Sequence, residues 1–293
     1  MAIRIRKKPG VVTLDMEKYI GECVKEAFPG GVHHTYNTPA VQELPKMVAK
    51  AAEVKDTTYV KDAVGKRFRR LTMQMLYVAS HTRPDIALAV GLLTRVQAWP
   101  TPELLKQAER VLIYLSGTID MKLTYTRCTK DTIDLNLAPR VVIEGASDAT
   151  FDAAHSTSGY LIFLMNAAIA WCMKKQVSVA LSTYQAEVMA GSLAACEFVS
   201  VRGLLNEMGF PQTSPSTLKM DSTSAINLAE DPVMHSQSKH IARRDLFIRE
   251  LKERGILSPV YVKTDKNTAD ALTKPLMKEP FYSHRATMLG LDR

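Results

Sequence analysis

The sequence predicts two structural halves, a mainly helical one followed by a mixed α/β one. Three observations carry this prediction. Apolar residues recur at helical spacing across 66–116. Short apolar runs separated by turn residues fill 140–182. Beyond them the pattern runs helix, strand, helices, strand, helix, which builds a mixed α/β layer rather than a bundle or a sandwich. At 293 residues the chain suits two domains better than one.

In chain order, residues 2–20 read as a strand, a Pro9-Gly10 turn and a second apolar segment, VVTLDMEKYI. Residues 29–65 hold three prolines and little periodicity, so a long connecting loop is expected there. Three helices follow, in RLTMQMLYVAS, TRPDIALAVGLLTRV and TPELLKQAERVLIYLSG. The corner Arg83-Pro84-Asp85 fixes the start of the second. Thr101 caps the third, with Pro102 at its first position and Gly117 closing it. The polar run CTKDTIDLNL begins a linker placed at 128–139.

Strands are expected in RVVIEGAS, GYLIFLMN, AIAWCMKK and QVSVALS. A long helix then spans 184–208, opened by the capping-box pattern Ser182-Thr183-Tyr184-Gln185 and ended by Gly209. A strand (TLKMDS), a short helix (TSAINLAE) and a loop with Pro232 come next. A second long helix, KHIARRDLFIRELKER, stops at Gly255. A strand in ILSPVYVKT and a helix beginning near Asn267 complete the chain.

Composition narrows the partners. Hydrophobic residues make up 46% and charged residues 23%, ordinary for a globular protein. Lys and Arg number 38 against 30 Asp and Glu, and the net charge of +8 favours a polyanionic partner. Cys23, Cys128, Cys172 and Cys196 form no CxxC pair, which argues against a zinc site and for reduced thiols inside a cell. No apolar stretch approaches the roughly 20 residues of a membrane helix, so no membrane partner is expected. The basic start, MAIRIRKKPG, lacks the apolar core of a secretory signal.

Four carboxylates sit at telling places. Asp148 ends the first strand of the second half, and Glu187 lies in the first turn of its long helix. Asp221 ends TLKMD, and Asp270 lies in the first turn of the last helix. Ligands gather at strand ends and helix starts on one side of an α/β sheet. Converging carboxylates repel unless cations bind them, and oxygen-only ligand sets suit magnesium or manganese. Each position alone also has a structural reading, as a turn residue or as an acid favoured by the helix dipole.

The stretch from Val141 to about Leu276 resembles the ribonuclease H domain of copia-type retrotransposon polyproteins. The resemblance rests on SDATFDAAHSTSGYLIFL, AIAWCMKKQVSVALSTYQAEVMA, KMDSTSAINLAEDPVMHSQSKHIARRDLFIRE and YVKTDKNTADALTKPL. IRIRKKPGVVTLDMEKYI and the helical run from Arg69 to Thr118 are similar to the end of the same polyprotein's reverse transcriptase. The resemblance implies a ribonuclease H-like mixed sheet flanked by helices at 140–283, after a reverse-transcriptase remnant at 1–127. It implies an RNA–DNA hybrid as partner, with the rest of a reverse transcriptase as a further one. Two Mg2+ ions, with Mn2+ as the alternative, would be bridged by Asp148, held by Glu187 and Asp221 on the leaving-group side and assisted by Asp270 on the water side.

Further contacts follow from the same motifs. Ser156, Thr157 and Ser158 offer hydroxyls for minor-groove or 2′-hydroxyl contacts, with a simple turn as the other reading. Lys239, Arg243 and Arg244 could track a phosphate backbone or form a solvated face. His235 and His240 match the resembling segment, and helix-start packing is their alternative. The loop KTDKNT has no histidine to shuttle protons. Neither a Tyr-x-Asp-Asp turn nor an earlier palm aspartate is present in a matching context, so no polymerase activity is expected from this chain alone. An intracellular location, in a cytoplasmic particle or the nucleus, is expected. The rival reading is a nucleic-acid-binding or assembly protein that no longer uses the nuclease site. A transposase or integrase would place its glutamate last, whereas here it comes second.

Overall fold

A computed structural model of the protein describes residues 2–127, 141–152, 156–228 and 243–291. Two compact units emerge, Met1–Thr124 with Lys274–Arg293, and Tyr125–Thr273. The linker expected at 128–139 lies outside the described residues. The segment 274–283, expected to close the second domain, groups with the first unit instead.

The first unit opens with the antiparallel hairpin β1 (Arg4–Lys8) and β2 (Val11–Asp15), paired from Arg4↔Asp15 to Lys8↔Val11. Gly10 follows Pro9 with φ of +74°, the pairing that a type II turn requires. β3 (Leu123–Thr126) adds to β2 to give the order β1-β2-β3. Helices α1 (Glu17–Ala27), α2 (Leu44–Val54), α3 (Ala63–His81), α4 (Ala87–Thr94) and α5 (Pro102–Ser116) supply the core. As expected, Thr101 Oγ1 accepts from Leu104 N at 3.3 Å, and the amide of Gly117 closes α5 on Ile113 O at 3.2 Å.

α2 corrects the loop expected at 29–65. Leu44, Val48 and Ala51 are buried on one helical face, and Pro45 sits in the first turn, where its missing N–H has no intrahelical partner to lose. The Arg83-Pro84-Asp85 corner behaves as expected. Arg83 and Asp85 are both buried, and the guanidinium forks onto the carboxylate at 2.8 and 2.7 Å. Thr118 O and Tyr114 OH complete the cluster, at 2.9 Å from Arg83 Nη1 and 2.6 Å from Asp85 Oδ2.

The second unit is built on a five-stranded mixed sheet. Its strands are β4 (Ile143–Thr150), β5 (Thr157–Leu164), β6 (Ala167–Lys175), β7 (Ser216–Met220) and β8 (Leu257–Tyr261), in the order β6-β5-β4-β7-β8. β5 is antiparallel to both β4 and β6, while β7 is parallel to both β4 and β8. The long helix α6 (Thr183–Glu207), short α7 (Thr223–Leu228) and α8 (Arg243–Glu253) flank it. Ile143, Ile162, Val188, Phe198, Leu218 and Ile248 pack between sheet and helices. Gly145 lets Phe198 approach, because a Cβ there would meet the ring at 2.8 Å.

Three expectations change in this unit. QVSVALS is not a strand: Val177 and Leu181 are 80% and 85% exposed, and among the described residues no strand lies beyond β6 to pair with it. Its alternation matched strand periodicity without a sheet face to bury. The helix expected from Asn267 is a 3-10 turn, Thr268–Leu272, because Pro275 lacks the N–H that a continuing α-helix would use. An α-helix forms only later, as α9 (Lys278–Leu289), in the first unit. Finally, α6 is long and apolar enough to cross a bilayer by length and composition alone. Here its apolar residues pack on the sheet, with Ala186, Val188, Ala194 and Phe198 fully buried.

Candidate active site

Asp148 is carried by β4, where it pairs with Gly159 of β5, and it is only 2% exposed. The strand continues two residues beyond it, so Asp148 lies inside the sheet rather than at a turn. Glu187 is the fifth residue of α6, beyond the first turn in which it was expected. That matters physically: the helix dipole favours acids within the first turn, so it does not account for Glu187. The start of α6 is fixed by Ser182 Oγ, which accepts from Gln185 N at 3.2 Å. Gln185 Oε1 accepts from Leu181 N at 2.8 Å, giving a reciprocal cap one residue off the expected pattern. Asp221 immediately follows β7 and is half-buried.

These three side chains converge. One carboxylate oxygen from each of Asp148, Glu187 and Asp221 lies within 4.8 Å of the others. Two unit charges at that separation repel by about 3 kcal/mol at an effective dielectric near 20. Three ionised groups therefore need cations, or protons, to sit together. The donor set is all oxygen, drawn from three separate elements, and fits a hard divalent cation such as Mg2+ or Mn2+.

Neighbouring groups hold the carboxylates in place. The amide of Ala149 donates to Glu187 Oε1 at 3.3 Å. Thr264 Oγ1 donates to Asp221 Oδ2 at 2.9 Å. Thr273, itself buried, donates its hydroxyl to Asp148 Oδ2 and lies 3.2 Å from Asp270 O. Asn267 is buried beneath the turn, its Nδ2 donating to Ser147 O at 3.0 Å and its Oδ1 accepting from Ala269 N at 3.3 Å. Sequence reasoning missed Thr264, Asn267 and Thr273. Their signal was present as hydroxyl and amide side chains on both sides of Asp270 in KTDKNTADALT.

Asp270 is not among the three converging residues. It is buried in the adjacent 3-10 turn, which Thr273 ties to Asp148. Gly159 makes the approach of that turn feasible, since a Cβ there would meet Leu272 Cβ at 2.8 Å and Thr273 Cγ2 at 2.9 Å. Ser156, Thr157 and Ser158 are all buried. Ser156 Oγ accepts from Asp152 N at 3.3 Å, and Ser158 Oγ accepts from Gln176 Nε2 at 2.9 Å, so these two hydroxyls bond within the unit. Lys239, His235 and His240 lie outside the described residues, as do the side chains of Arg243 and Arg244 at the start of α8.

A mixed sheet of this order, flanked by helices and holding a carboxylate triad across β4, α6 and the end of β7, defines a ribonuclease H-like protein. No family model matches the chain. The retrovirus-related Pol polyprotein from transposon RE1 of Arabidopsis thaliana is 34% identical over 230 residues, 77% of this chain and 15% of that protein. The one from transposon TNT 1-94 of Nicotiana tabacum is 31% identical over 279 residues, 92% of this chain and 19% of that protein. The chain belongs to the family of retrovirus-related transposon Pol polyproteins. It spans less than a fifth of the length of these curated relatives. Among solved structures, LC11-RNase H1 in complex with an RNA/DNA hybrid matches over 93% of its chain and 45% of this one, at 14% identity and a TM-score of 0.33.

Proposed function

We propose that the second unit is a divalent-cation-dependent nuclease that cuts the RNA strand of RNA–DNA hybrids. The observation that carries this reading is the convergence of Asp148, Glu187 and Asp221 within 4.8 Å. Divalent cations held there would supply a lowered pKa for an attacking water and neutralisation of charge on the leaving oxygen. Asp148, Glu187 and Asp221 would hold the cations, with Ala149 N orienting Glu187 and Thr264 Oγ1 orienting Asp221. Asp270 acts from the neighbouring turn. We read the first unit as the end of a reverse transcriptase, which adds affinity for nucleic acid but no polymerisation.

The test is direct. Purified protein is incubated with labelled RNA–DNA hybrid, double-stranded DNA and double-stranded RNA, with magnesium and with EDTA. Cleavage of the RNA strand in the hybrid alone, and only with the cation, supports the reading. Binding of hybrid without any cleavage in magnesium or manganese refutes it.

A further inference from the structure

A second cluster of charge lies away from the triad, wholly within the first unit. A cavity of about 390 Å³ is lined by Tyr36, Asn37, Thr38, Arg110 and Lys278, with apolar neighbours, and no carboxylate among the described residues lines it. Arg110 forms no ion pair among the described residues, unlike several other arginines of this unit. Arg67 pairs with Glu109 at 2.9 Å, Arg70 with Glu26 at 2.8 Å, and Arg83 with Asp85 at 2.7 Å. Glu109, beside Arg110 in sequence, is thus committed to Arg67.

Arg110 instead stacks on Tyr36, its guanidinium carbon 4.0 Å from the ring centroid. It makes one long hydrogen bond, Nη2 to Thr38 Oγ1 at 3.4 Å. Its Nε is buried without a hydrogen-bond partner, and it forms no ion pair among the described residues. A buried donor on a charged group is costly to leave unmade, and a stacked guanidinium presents a rigid fork suited to phosphate. Burial also lowers the pKa of this guanidinium, as expected of a cation short of a counter-charge. Lys278 adds a second charge at the start of α9, a helix that has no side-chain cap at Met277. The positive end of a helix favours the same ligands. Glu279, also in that first turn, is exposed and does not line the cavity.

We propose that this cavity binds a phosphate group carried by a nucleotide or by a nucleic-acid strand, with Arg110 making the forked contact and Lys278 the second charge. The site is independent of the carboxylate triad and stands whether or not the second unit cuts hybrid.

Calorimetric titration of the whole protein in EDTA and low salt tests it, since EDTA removes cation-mediated phosphate binding at the triad. The probes are adenosine 5′-monophosphate and a single-stranded DNA oligonucleotide without a terminal phosphate. Saturable binding is expected for wild type, weakened about tenfold or more in Arg110→Gln and in the same direction in Lys278→Gln. The exposed Lys278 keeps the test meaningful if Arg110→Gln fails to fold, which circular dichroism would show. Binding of the mononucleotide identifies a free nucleotide as ligand. Binding of the oligonucleotide alone identifies a strand, and its salt slope should then be shallower by about 0.7 in each variant. No binding of either probe, or equal binding by wild type and Lys278→Gln, overturns the proposal.

Discussion

At Thr273 a single hydroxyl joins the two segments that carry Asp148 and Asp270. It donates to Asp148 Oδ2, lies 3.2 Å from Asp270 O, and the Thr273 carbonyl accepts from Thr150 Oγ1 at 2.9 Å. Groups of this kind orient metal ligands, and losing one costs about 10–100-fold in metal affinity or activity. Thr273→Val keeps the shape and removes the hydroxyl, so Mn2+ affinity and hybrid cleavage should both fall by roughly that range. Thr273→Ser should restore both; if the serine variant is as impaired as the valine one, the hydroxyl is not what matters. Asp148→Asn separates ligand from scaffold. Cleavage should drop by about a hundredfold to a thousandfold or more, because charge stabilisation at the reacting phosphate is lost. Stability in EDTA should be unchanged or higher, because one partner in the repulsion is gone. A turn residue would give the reverse pattern, a lower thermal midpoint in EDTA with cleavage near the wild-type rate in magnesium. The sequence marked Asp148, Glu187 and Asp221 as candidates through their order and the motifs that carry the resemblance, although Asp148 lies inside β4 and Glu187 beyond the first turn of α6. Thr273 was not marked, since its partner lies 125 residues away and only the folded sheet brings them together.

The 3-10 turn Thr268–Leu272 shows what one glycine does for an element. It packs on β4 and β5 over Gly159, where any Cβ would stand 2.8 Å from Leu272 Cβ. Gly159→Ala should therefore push the turn off the sheet, costing about 1–3 kcal/mol as an overpacked contact does. Cleavage should fall with it, because Thr273 and Asp270 move together. An unfolding midpoint and cleavage rate equal to wild type would mean the turn adapts without disturbing Asp148. The sheet and α6 could be read ahead of the structure because runs such as GYLIFLMN, and a helix closed by Ser182 and Gly209, are strong local signals. QVSVALS misled because periodicity reports alternation, not whether a partner strand exists. α2 was hidden for the opposite reason: a single helix-length repeat, Leu44, Val48 and Ala51, sits among prolines that read as loop. The end of the ribonuclease H-like unit was misplaced because α9 carries no sequence mark of which core it joins.

Across the whole molecule, the two units can each be followed by a tryptophan of their own. The chain has two tryptophans, Trp99 in the first unit and Trp171 in the second. Trp171→Phe leaves fluorescence reporting the first unit, and Trp99→Phe leaves it reporting the second. Acid should act on the first through Asp85. Burial works to raise its carboxyl pKa, but the Arg83 fork and Tyr114 OH hold it below the usual carboxylate value. A depressed folded-state pKa contributes stability above the unfolded value, about 3.9, that is lost as pH falls through the folded one. The Trp99 transition should thus weaken below about pH 4. Asp85→Asn should flatten that dependence while costing about 3–5 kcal/mol by leaving Arg83 buried and unpaired. The other route into this core runs through α9. Phe281 meets Tyr114 edge-on at 6.0 Å, Arg285 Nη1 donates to Tyr114 OH at 3.1 Å, and Met288 and Leu289 are fully buried. Phe281→Ala removes a buried ring and should cost about 3–5 kcal/mol. In urea, the Trp99 midpoint should move to lower concentration while the Trp171 midpoint and the Mn2+ affinity of the triad stay in place. Equal movement of both midpoints would show that α9 supports the second unit as well, and the division of the chain at Thr273 would have to be redrawn.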